Sequence, residues 1–285
     1  MESPLAFFLV IIYVLTSSTY SLLIKLSGNR LVLFGAVNAL TMVLALPLFL
    51  VFPLPGKEVL PYILGSSVAY NAVLYFSHQA YKRADLSVVF PVRRALGFLL
   101  VLLGAKFLLA EQAMWYEWLA FGAIFVAILL QMSFRQLHKI EHTGPFLLML
   151  FAAVASAAQY IIDFAGIRLG GNPFSFIIAL MYIGLPVTLW AYFTHRHELT
   201  KVLSEQKKQI VISALLDNIG YGCFLYAVYV ARALYAMPLT SLSVVVVTCL
   251  GLFHLKEGLR TRRLASAILI TAAIAGVHLM DIFYT

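Results

Sequence analysis

The chain has 285 residues, of which 62% are hydrophobic and 11% charged, with a formal net charge of +8 and a mean hydropathy of +0.94. A soluble domain carries about 25% charged residues, so this composition excludes an ordinary soluble enzyme or binding module and points to a membrane. The basic residues are dispersed among loops and form no patch interleaved with aromatics, which argues against nucleic-acid binding.

Ten apolar stretches of roughly 20 residues follow one another, each long enough at about 1.5 Å per residue to cross a hydrocarbon core of ~30 Å. They cover residues 5–26, 31–52, 59–80, 87–108, 115–134, 145–167, 174–194, 209–231, 238–254 and 264–284. The chain opens with MESPLAFF, which has neither a basic segment nor a small-residue cleavage site, so the first stretch is expected to be a retained span. The connections are short, the longest being a polar run from His195 to Lys208, and they leave no room for a soluble domain. Cys223 and Cys249 both fall within predicted spans, which argues against a disulfide framework.

The second half of the chain echoes the first. Lys25-Leu26-Ser27-Gly28-Asn29 recurs 143 residues later as Arg168-Leu169-Gly170-Gly171-Asn172. At an offset of 147, Asn71 falls on Asn218, Ala80 on Ala227, Ala84 on Ala231 and Pro91 on Pro238; at 146, Glu111 falls on Glu257. Five spans per half is an odd number, so the second half enters the membrane in the opposite sense. The expected fold is an all-α integral membrane protein of ten transmembrane helices in two inverted five-helix repeats, residues 1–142 and 143–285. Such repeats place a solute site near the midplane where the halves meet.

Fourteen Lys and Arg residues follow the odd-numbered spans, whereas only Lys57, Lys106, Arg168 and Arg232 lie on the other side. Basic residues prefer the cytoplasm, so the odd loops are expected inside and both termini outside. The short loops suit an inner plasma membrane.

The fourth span carries RADLSVVFPVRR, residues 83–94. This resembles the Gly-Asp-Leu-Ser, Tyr-Pro and nearby Arg of EamA-type proteins in the drug/metabolite transporter superfamily. Ala84 and Phe90 replace the usual Gly and Tyr, while Asp85, Leu86, Ser87, Pro91 and Arg94 fit the pattern. Glu111 with Trp115, and Glu257 with Arg260, are similar to the acidic endings that the family gives spans 4 and 9. The resemblance implies a carrier working by alternating access, with a cavity lined mainly by spans 1, 3, 4, 6, 8 and 9. Cytoplasmic termini are common in that family, whereas the charge count here points the other way.

Arginine inside a span costs at least ~2.5–3.5 kcal/mol on insertion scales, so it usually faces protein or water. Arg94 shares a helical stripe with Ser87, Pro91, Gly97, Val101 and Gly104, the small-residue face expected to turn toward a cavity. Arg93 shares its face with Val89, Leu96 and Leu100, which suits lipid or tight packing, with the guanidinium snorkelling to the interface or reaching solute. Asp217, at a similar depth, is expected to pair with Arg94, to couple a proton or to meet a cationic solute group. Asp163, near the other end of its span, reads as a solvated gate residue, or as the counter-charge or proton site of a carrier for cationic amines.

Asn71 and Asn218 are positioned to bind solute or to tie the two halves together. Tyr221 and Tyr160 are candidate cavity rings, and Ser87 a further solute or gate contact. Pro91 and Pro238 are candidate hinges, with a first-turn position the plainer reading of Pro238. His78, His254 and His278 are scattered, so no metal site is expected.

These residues describe a secondary active transporter whose small organic solute carries an anionic group on an arginine, whose planar donor fork matches such groups. The alternatives are a proton-coupled exporter of cationic amines or drugs and a carrier of amino acids or other zwitterions. An intramembrane lipid-modifying enzyme is the remote one, because no nucleophile stands near a base. No cofactor is expected, and a proton is the candidate coupling ion. The expected partners are the solute and the lipid bilayer, with a homodimer left open.

Overall fold

The computed structural model describes residues 4–25, 30–83, 86–130, 143–246 and 260–284, and every regular element among them is helical. Long runs of Leu, Val, Ala and Phe have little choice in hydrocarbon, where backbone N–H and C=O groups must be satisfied within the segment. In chain order the helices are α1 (Pro4–Lys25), α2 (Arg30–Ala45), α3 (Leu60–Tyr81), α4 (Leu86–Phe107), α5 (Trp115–Leu130), α6 (Thr143–Leu169), α7 (Pro173–Leu180) and α8 (Leu185–Thr194). There follow α9 (Arg196–Glu205), α10 (Lys207–Val230), α11 (Ala233–Leu239) and α12 (Arg260–Tyr284). Six stretches are long and apolar enough to cross a membrane, namely 4–23, 31–50, 57–81, 144–169, 173–194 and 207–230; shorter apolar helices cover 115–130, 233–246 and 264–277. Helix α4, over the fourth predicted span, carries Arg93, Arg94 and Lys106 among its apolar residues.

The core is a bundle in which α3 lies along α6 and α1 along α10. Helix α4 rests on α6 and α5, α5 on α12, and α2 on α8. Glycines permit the closest of these approaches. A Cβ at Gly35 of α2 would sit 2.6 Å from the Ala191 methyl of α8, and one at Gly220 of α10 would sit 2.2 Å from Thr16 Oγ1 of α1.

Three elements depart from the sequence expectation. The polar run after His195 is helix α9 and not a loop. Leu199 and Val202, three residues apart, are buried with Val32, Leu33, Ala36 and Val37 of α2, while its other face is charged. The seventh span is interrupted: α7 and α8 are separated by a turn at residues 181–184, because Pro186 has no N–H to offer the Tyr182 carbonyl, which is taken by Leu185 N at 3.0 Å instead. The ninth span begins at Ala233, so Pro238 lies inside α11 and not in a first turn. A turn follows at residues 240–241 before helix resumes at Leu242. Cys249, Asp85 and Glu257 lie outside the described residues, as do the side chains of Ser87 and Pro91.

Two buried carboxylates fasten the loop between α4 and α5 to the second half. Ala110, at φ 54°, turns the chain into the left-handed region and delivers Glu111 inward. Glu111 accepts from Ala233 N at 2.9 Å and Leu234 N at 2.8 Å, capping α11, and pairs with Arg168 of α6 at 2.5 Å. Glu117, 2% exposed, accepts from Met114 N at 2.6 Å and pairs with Arg232 at 3.2 Å. Removing Glu111 orphans two backbone donors and a cation together. Glu111→Ala should therefore cost about 3 kcal/mol or more, and Arg168→Ala less, because Glu111 keeps its two N–H donors. Melting of the two variants in detergent checks the order, which equal losses would contradict.

Candidate solute site

Helices α1, α4, α5, α6 and α11 border a cavity of about 100 Å³. Its wall contains Arg93, Arg94 and Gly97 of α4, Tyr13 of α1, Ser156 and Tyr160 of α6, and Thr240 and Ser241 after α11. Arg94 donates from Nη2 to the Thr240 carbonyl at 3.3 Å and to Ser243 Oγ. The turn that follows Pro238 presents this carbonyl, which also accepts from Ser243 Oγ at 2.6 Å. Arg94 thus holds the interruption of the ninth span while bordering the cavity.

Arg93 borders the same cavity, the alternative to lipid that its candidacy as a solute or gate residue had offered. Its Nε is buried with no hydrogen-bond partner. Successive residues on a helix lie about 100° apart, so two long side chains can converge on one cavity at a wide interhelical corner.

The other sequence candidates form separate groups. Asp163 is 0% exposed, so it is not a solvated gate residue. The Tyr221 hydroxyl donates to its Oδ2, Ser66 and Gln159 flank it, and its Oδ1 and Ser66 Oγ are buried without partners. Tyr221 also lies against Tyr160, ring centroids 6.2 Å apart, which connects this group to the cavity wall. Asp217 is half-buried near Tyr20 and Tyr70. Among the described residues it makes no ion pair with Arg94, contrary to expectation; both instead lie within electrostatic reach of Tyr13.

The repeat-related amides both join helices. Asn71 donates to the Ile183 carbonyl at 2.9 Å and accepts from Val187 N at 3.1 Å, stitching the break between α7 and α8, with Ser67 Oγ adding a second donor to Ile183 at 2.9 Å. Asn218 donates to Thr41 Oγ1 at 2.8 Å, tying α10 to α2. Neither borders the cavity, nor do the other residues of α3 and α10, although spans 3 and 8 were expected to line it. Tyr13, Ser156 and Thr240 were not anticipated. The visible signs were Ser156 one turn from Tyr160 and the polar Thr240-Ser241-Leu242-Ser243 cluster inside an apolar span.

A multi-pass bundle enclosing a polar, arginine-lined cavity is the architecture of a membrane carrier. Residues 144–279 match the EamA-like transporter family, so this half is an EamA-like transporter domain of the drug/metabolite transporter superfamily, a family of transporters and not of enzymes. That domain implies membrane transport of small solutes. One solved crystal structure, 15% identical, superposes with a TM-score of 0.68 over 98% of each chain, so the fold extends across both halves. No curated protein matches the chain.

The stitch at the seventh span makes a prediction of its own. Asn71→Ala leaves the Val187 N–H, and one bond to Ile183, without a partner and should destabilise the protein by about 2–3 kcal/mol. A melting temperature equal to wild type in detergent would contradict this role.

Proposed function

We propose that the protein is a secondary active transporter of ten spans in two inverted halves, residues 1–142 and 143–285, that carries a small organic solute bearing an anionic group. The observation that carries this reading is the convergence of Arg93 and Arg94 on one polar-walled cavity of about 100 Å³. Two guanidiniums offer planar donor pairs to a carboxylate, phosphate or phosphonate, and the hydroxyls of Tyr160, Ser156, Thr240 and Ser241 supply further polar contacts. Binding the anion here would replace lost hydration for both charges.

The packing supports two halves related by exchange. The first span lies along the eighth and the sixth along the third; the fourth touches the sixth and the ninth touches the first; the second pairs with the seventh and the fifth with the tenth. Both termini are proposed to lie outside an inner plasma membrane. Arg168 and Arg232, half of the basic residues on the sparser side, are matched by Glu111 and Glu117, which lowers the net positive charge of that side further.

Asp217 favours a second reading. It is half-buried and, among the described residues, pairs with no basic side chain, so a cationic amine or the ammonium of a zwitterion would fit beside Tyr20 and Tyr70. A melting screen of purified protein against anionic, cationic and zwitterionic metabolites separates the readings. A ligand at ~100 times its dissociation constant stabilises by about 2.7 kcal/mol. Anions should raise the melting temperature of wild type and Asp217→Asn but not of Arg94→Gln, with Arg93→Gln intermediate. Stabilisation by amines alone, abolished in Asp217→Asn, would overturn the anion assignment.

A further inference from the structure

We infer that Asp163 is the proton-carrying group of this transporter and that its loading promotes anion binding in the neighbouring cavity, making the protein a proton–anion symporter; this rests on the anion reading above. The carboxyl is 0% exposed in the middle of the bundle. Tyr221 of α10 donates to Oδ2, Ser66 of α3 and Gln159 of α6 flank the group, and Oδ1 and Ser66 Oγ are both buried without partners. An ionised carboxylate here would be a charge in a low-dielectric interior with hydroxyl and amide dipoles around it and, among the described residues, no cation beside it. A neutral acid fits the same neighbours without that cost: Oδ2 accepts from Tyr221, and the hydrogen on Oδ1 can be offered to Ser66 Oγ or to the Gln159 side-chain carbonyl.

No basic side chain among the described residues pairs with Asp163. The charged groups on the surrounding helices have other surroundings. Lys106 of α4 lies over the Trp118 ring at 4.8 Å, Arg168 of α6 pairs with Glu111, Asp217 of α10 lies near Tyr20 and Tyr70, and Arg93 and Arg94 border the cavity. The titratable neighbours are therefore tyrosines: Tyr221 in contact, and behind it Tyr160 and Tyr13.

The link to the solute site is short. Ser156, Tyr160 and Asp163 follow one stripe of α6, spanning roughly 10 Å along the axis, and the Tyr160 ring lies 6.2 Å from that of Tyr221. Tyr160 and Tyr13 both border the cavity. With the proton on Asp163, the positive potential of the two arginines is undiminished and an anion is bound. When the halves rearrange and water reaches the carboxyl, the Oδ1–H bond breaks, the proton passes to water, and the carboxylate left behind weakens the hold on the anion. One proton and one solute then leave together.

Infrared titration of the protein in lipid vesicles tests the proton site without any solute. Wild type and Asp217→Asn should show a protonated-carboxyl band that disappears as pH rises. Asp163→Asn, a shape-matched mimic of the acid, should lack it. In Tyr221→Phe the band should move to higher frequency, since the carbonyl loses its donor. A band unchanged in Asp163→Asn, or unmoved in Tyr221→Phe, would overturn the assignment.

Coupling is tested with benzenesulfonate, whose charge does not vary with pH. Its binding to wild type should strengthen about tenfold on acidification, the scale of one charge roughly 10 Å away at an effective dielectric of ~20, and should be pH-independent in Asp163→Asn. An unaltered pH dependence in that variant would refute the coupling. Absence of benzenesulfonate binding with the infrared band intact would refute the anion, and with it symport, while leaving the proton on Asp163.

Discussion

A polar backbone group inside hydrocarbon must have a partner, and the two interrupted spans expose groups that ordinary helix would have paired. Both interruptions occur at proline. Beside Pro186 the freed groups of Ile183 and Val187 are taken by Asn71; beyond Pro238 the Thr240 carbonyl, held within its own turn by Ser243 N at 3.0 Å, takes Arg94 as a further donor. The residues that close the ladders come from α3 and α4, in the other half of the chain. Holding the breaks together and holding the halves together are thus one interaction, and the cavity lies where the second of these contacts is made.

This dependence explains the use of an arginine in a place costly for any charge. The Arg94 guanidinium satisfies backbone of the ninth span at one edge and faces the cavity at another, so solute arriving there meets a group already tied to the movable element. Glu111 fixes the opposite end of the same short helix, through Ala233 and Leu234. Helix α11 is therefore anchored at its start by an acid from the α4–α5 loop and at its end by a base from α4. A rearrangement of α4 against α6 would be transmitted to α11 through both anchors.

Much of this was legible in the sequence, and the reasons for what was not are local. Span positions followed from hydropathy, because length and apolarity are what a bilayer selects. Arg94 and Tyr160 were marked as cavity residues by a stripe of small residues and by depth. The helical face of Arg93 left lipid, packing and solute all open, because a cavity at the corner between three helices is wide enough for an adjacent residue to share it. Asp163 was read by its distance from the end of a span, yet burial depends on neighbours, and Tyr221 and Ser66 come from two other helices. The break at residues 181–184 was signalled by Gly184 and Pro186 in an unbroken apolar run, where hydropathy alone reports one continuous helix. Such a run cannot show which distant amide will close the gap.

The central claim is that Arg93 and Arg94 make this cavity an anion receptor, and the most direct measurement is the charge preference of a thiol placed in its wall. In a chain whose Cys223 and Cys249 are replaced by serine, Ser156→Cys would be exposed to methanethiosulfonate reagents of similar size and opposite charge. The account predicts faster modification by the anionic reagent, a preference that is lost when both arginines are glutamine. Faster modification by the cationic reagent, or a preference indifferent to the two arginines, would contradict it.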